Sequence, residues 1–76
     1  MRPEDIRELL RRQPFRPFRL LTTNNLVYEI RHPELVALTR SVAHIGFPTS
    51  QGTVAERIVG LALLHIVQFE LWIPIS

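Results

Sequence analysis

Across residues 3–13 the apolar positions are Ile6, Leu9 and Leu10, set among arginines and acids. Their i, i+3, i+4 spacing puts them on one stripe of an α-helix. Pro3 suits the first helical position, Glu4 and Asp5 sit where the helix dipole favours negative charge, and Arg11 and Arg12 fall in the last turn. Pro14 ends the segment. Glu8 precedes Arg12 by four residues, the better order for a helical ion pair. A helix of about eleven residues is marginal alone, so this stripe must pack on something.

After Pro14-Phe15-Arg16-Pro17-Phe18, a stiff extended connection, the apolar period shortens. Phe18 to Thr22 and Leu26 to Ile30 flank Thr23-Asn24-Asn25 and read as a hairpin. A two-residue turn would pair Leu20 with Glu29 and Phe18 with Arg31, mixing apolar and charged side chains on one face. A three-residue loop pairs Phe18 with Ile30, Leu20 with Tyr28 and Thr22 with Leu26, and sets Arg19 opposite Glu29. That sorting predicts the longer loop, with Asn25 in the left-handed conformation. His32-Pro33 breaks the second strand. Leu35 to Thr39 and Val42 to Phe47 are short runs about Arg40-Ser41, which predicts another tight hairpin. Pro48 to Thr53 is the most loop-like stretch. A fourth or fifth strand covers about Val54 to Leu61, and the last runs from Ile66 to Ile73, where Val67, Phe69 and Leu71 alternate with Gln68, Glu70 and Trp72. The layout predicts a mainly β (α+β) single domain over residues 1–76: a helix over about 3–13, then a five-stranded, strongly bent antiparallel barrel over about 15–73.

Composition narrows the class further. With 76 residues, 46% of them hydrophobic, there is room for one core. No cysteine is present, which excludes a disulfide framework, a thiolate metal site and a thiol nucleophile. The longest apolar run, Ile58 to Leu64, is far short of the roughly 20 residues that span a bilayer. The polar, acidic start is unlike a signal peptide, so a cytoplasmic protein is expected, with no membrane partner.

All nine basic residues are arginine. Those up to residue 19 outnumber the acids there, whereas glutamates outnumber arginines in the remainder. Arg7, Arg11, Arg12, Arg16 and Arg19 are therefore the candidate phosphate-facing set, since arginine's flat, forked donors suit that role. The plain alternative is an arginine-rich face that is merely solvated. At the other end, Leu71, Trp72, Ile73 and Ile75 form an apolar edge. Such a tail either folds back over the helix or builds a subunit interface, and the interface is the stronger expectation.

Catalytic and metal chemistry find no constellation. His32, His44 and His65 lack the paired spacing of a zinc site. Ser41, Ser50 and Ser76 lie in no glycine-flanked elbow, the glutamates are scattered, and no glycine-rich phosphate loop exists. No enzymatic activity, cofactor or metal is expected.

The short N-terminal helix, the hairpin with its Asn24-Asn25 turn and the apolar closing strand together resemble the Sm-like proteins, including the bacterial RNA-chaperone branch. Arg57-Ile58-Val59-Gly60-Leu61-Ala62-Leu63-Leu64-His65-Ile66-Val67 resembles that family's second motif. The resemblance implies a small Sm-like or SH3-like barrel and raises RNA as a partner. The chain departs from the family where Asn24-Asn25-Leu26 lacks the turn glycine and where Leu63-Leu64-His65 stands in place of a Lys-His pair. Leu9-Leu10, Pro14-Phe15-Arg16-Pro17-Phe18 and Tyr28-Glu29-Ile30-Arg31-His32-Pro33-Glu34 are also similar to a group of short bacterial proteins, from which no function carries over. The expectation is a non-enzymatic interaction module that self-associates through its last strand or meets a protein partner, with an RNA-binding ring protein as the competing class.

Overall fold

The computed structural model describes residues 1–48 and 54–71. Helix α1 spans Pro3–Arg11 and buries Ile6 and Leu9, with Leu10 packed at the margin, as the stripe requires. The Arg2 N–H donates to the Asp5 carboxylate at 3.3 Å, which satisfies one free donor of the first turn. The helix stops two residues short of its predicted end. Arg12 is already extended, with ψ 140°, because Pro14 disfavours the helical region for the residue before it and the chain must leave the helix in advance. The Met1 ammonium donates to the carbonyls of Leu63 and Ile66 at 3.0 and 3.3 Å, tying the start of the helix to the turn before the last strand.

The first hairpin joins β1 (Phe18–Thr22) to β2 (Val27–Ile30). Its register pairs Phe18 with Ile30, Arg19 with Glu29 and Leu20 with Tyr28, which is the three-residue-loop arrangement. Asn25 has φ 64°, in the left-handed region. The buried Thr22 hydroxyl accepts the Leu26 N–H at 3.1 Å and donates to the Asn24 side chain, so the turn closes with its polar groups paired.

Pro33 then starts a single 3₁₀ turn, Pro33–Leu35, before β3 (Val36–Leu38). The strand expected from Leu35 to Thr39 is thus shortened at both ends. A tight turn at Arg40-Ser41 leads into β4 (Val42–Pro48), with the Thr39 N–H donating to the Val42 carbonyl at 2.9 Å. β5 (Ala55–Ala62) follows, then a second 3₁₀ turn at Leu63–His65 and β6 (Ile66–Leu71). Apart from Pro48, the expected loop over Pro48 to Thr53 lies outside the described residues, as does the end of the last predicted strand.

The strands form two antiparallel three-stranded sheets, ordered β2-β1-β6 and β3-β4-β5. Among the described residues the count is six where five were expected, and no ladder closes the two sheets into a barrel. The physical reason lies at His32-Pro33, where a proline cannot donate into a ladder and the chain turns between β2 and β3. One core serves both sheets and the helix: Ile6 and Leu9, Phe18 and Leu20, Ile30, Ala43 and Ile45, Leu61 and Leu63, and Ile66. Gly46 permits close packing, since a Cβ there would lie 3.0 Å from the Ala55 Cβ and 3.2 Å from the Leu35 carbonyl oxygen.

Candidate interaction surface

The last strand was expected to turn Val67, Phe69 and Leu71 to one face. The structure corrects this. Thr22 pairs with Ile66 and Leu21 with Gln68, leaving Val67 as the extra residue of a β-bulge. The bulge resets the alternation, so Ile66 is buried opposite the buried Thr22, and Phe69 and Leu71 stand opposite the inward-facing Leu20 and Phe18. Val67 is pushed out to 59% exposure, and Phe69 keeps 41%. Phe69, Met1 and Leu9 form the apolar part of a groove of about 240 Å³ beside α1, rimmed by Asp5, Glu8 and Arg12.

β6 is the edge of its sheet and bonds only to β1 among the described residues. Of the predicted interface residues, Leu71 ends this strand half-buried opposite Phe18, while Trp72, Ile73 and Ile75 lie outside the described residues. Among the described residues β5 is the longest strand, and it lies at the edge of the second sheet, bonded only to β4. It leaves Ile58 69% exposed and holds the Arg57 guanidinium 4.9 Å from the centre of the Phe47 ring. Sequence reasoning missed this edge, because Ile58 and Val59 are adjacent apolar residues and only the pairing with β4 says which one faces the core.

The candidate arginines divide into two environments. Arg7, Arg11 and Arg12 are exposed on α1 and at its end, and share a shallow concavity of about 430 Å³ with Glu4 and Glu8. Arg16 is exposed in the connection to β1. Arg19 belongs elsewhere: it lies on β1 with a nitrogen 3.3 Å from the Glu29 carboxylate, whose other oxygen is 3.1 Å from Arg31. The structure therefore brings together Arg7, Arg11 and Arg12 and separates Arg19 from them. The expected Glu8–Arg12 ion pair does not form, because Arg12 has left the helix and the i+4 geometry with it.

The histidines are dispersed. His32 precedes the first 3₁₀ turn with Nδ1 3.4 Å from Glu34, His44 sits on β4 between Ala37 and Gly60, and His65 lies 3.4 Å from the Thr23 hydroxyl. Among the described residues no cluster of His, Cys, Asp or Glu could hold a metal ion, and no helix is long and apolar enough to cross a membrane. Beside the end of β2, Ile30, Val36, Ile45, Phe47 and Pro48 line a cavity of about 300 Å³, with Glu29, Arg31 and His32 also along it. No protein-family model, curated protein or solved structure matches the chain.

Proposed function

We propose that the chain is a cytoplasmic, non-enzymatic interaction module, a small bent barrel of the Sm-like or SH3-like kind that self-associates through its C-terminal strand. The observation carrying this reading is the outer edge of β6, which beyond Ile66, whose carbonyl the Met1 ammonium holds, meets no second strand among the described residues and leaves Val67 and Phe69 exposed; in the sequence the apolar residues Leu71, Trp72, Ile73 and Ile75 follow. Unpaired edge strands with apolar side chains are templates for another chain, and a monomer gains by covering them. In support of the barrel, β2 and β3 follow one another through a single 3₁₀ turn and count as one broken strand of five, and both sheets share one core.

Size exclusion with light scattering tests the reading directly. The wild type is expected to run above monomer mass, and Trp72→Ala to shift it toward monomer. A wild type that is monomeric at every concentration overturns it. A second reading, RNA binding by Arg7, Arg11, Arg12 and Arg16, is favoured by one observation: none of these four has an ion-pair partner among the described residues. It requires binding to single-stranded RNA that weakens steeply with salt, as released counterions demand. Arg11→Glu with Arg12→Glu abolishes such binding, and binding that survives the pair places the site elsewhere.

A further inference from the structure

The reading that β6 seeks a second copy leaves open what it meets there, and the four sheet edges are not equivalent. β2 and β3 offer four and three residues, whereas β5 offers eight. None of the four edge strands contains a proline, so length is what first separates them. Among the described residues β5 is also the only edge strand with a cation, Arg57, next to its own Glu56, whereas β2 carries Glu29, β3 is uncharged, and β6 carries Glu70 alone. Neither Arg57 nor Glu70 has an ion-pair partner among the described residues, Arg57 resting on the Phe47 ring.

We propose that the surface receiving β6 is the free edge of β5 on a second copy of the chain, in a head-to-tail contact; this rests on the self-association reading above. An antiparallel register that sets Ile58 opposite Phe69 also sets Arg57 opposite Glu70 and Gly60 opposite Val67. One register thus covers the most exposed apolar residue of β5, sets Arg57 against Glu70, which in its own sheet stands opposite Arg19, and seats the bulged valine against a residue without a side chain, leaving Glu56 opposite Leu71. Pairing β6 with itself achieves none of this, since the strand has no cation to meet Glu70. A head-to-tail contact uses two different patches, so each copy keeps one of each to offer, and the assembly closes as a ring or grows as a filament.

Charge reversal distinguishes the arrangements. Arg57→Glu and Glu70→Arg are each expected to weaken self-association at least tenfold in concentration-dependent light scattering or sedimentation, with the circular dichroism of the wild type retained. The double variant Arg57→Glu/Glu70→Arg, or an equimolar mixture of the two single variants, is expected to restore it. If Val67→Lys dissociates the assembly while Arg57→Glu leaves it intact, β6 still mediates association but β5 is not its receiver, and this proposal fails alone. A monomeric wild type removes both readings together.

Discussion

Asn25 carries the hairpin at the scale of one residue. Its φ of 64° lies where a side chain with a branched Cβ clashes with the backbone, and asparagine tolerates it through its short polar side chain. Asn25→Val is therefore expected to cost about 1–2 kcal/mol, with Asn25→Gly near neutral. Urea midpoints of the two variants check this, and equal midpoints would mean that the loop adopts another conformation in solution. Thr22 beside it is a buried hydroxyl whose removal strips the Leu26 N–H of its acceptor. Thr22→Val is expected to lose about 1 kcal/mol, read in the same titration. This turn was legible in the sequence, because sorting apolar from charged partners across Phe18, Leu20, Tyr28 and Ile30 admits only one register with an apolar face.

Helix α1 shows how an element this short persists. Its nine residues are held by Ile6 and Leu9 against the sheets and not by intrinsic helicity. Leu9→Ala is expected to cost about 2–5 kcal/mol by thermal or urea unfolding, whereas Arg7→Ala on the exposed side stays within about 0.5 kcal/mol. An insensitive Leu9 would mean that the helix does not dock in solution. The strands taught a different lesson. Alternation along Val67, Phe69 and Leu71 reads as one clean face, yet the bulge at Val67 buries Ile66 and expels Val67. A bulge is an adjustment of one strand to the twist of its neighbour, so it has no signature in the bulged strand's own pattern. The same holds for β2 and β3, where Pro33 announced a break but not the 3₁₀ turn that fills it.

For the molecule as a whole, the margin is narrow. A 76-residue domain is expected to hold about 4–11 kcal/mol of stability in total, so a single core truncation consumes much of it. Surface changes on the proposed interface behave differently. Val67 contributes little to the core at its exposure, so Val67→Lys is expected to lower the assembly's mass while leaving the monomer's own unfolding within about 0.5 kcal/mol. A large loss of stability on that change would assign Val67 to the fold and not to a contact. The helix stripe, the first hairpin with its left-handed asparagine, the turn at Arg40-Ser41 and the all-antiparallel, mainly β class are all legible in the chain. These are local, set by spacing, turn chemistry and the sorting of faces between neighbours in the chain. Long-range pairing sets the two sheets of three, joins β6 to β1 from the far end of the chain, and leaves β5 and β6 at the sheet edges among the described residues. The tertiary structure also decides that Arg19 serves the sheet while Arg7, Arg11 and Arg12 face solvent together. Such outcomes depend on which distant strands meet, and pairings between distant segments leave no periodic trace in either strand.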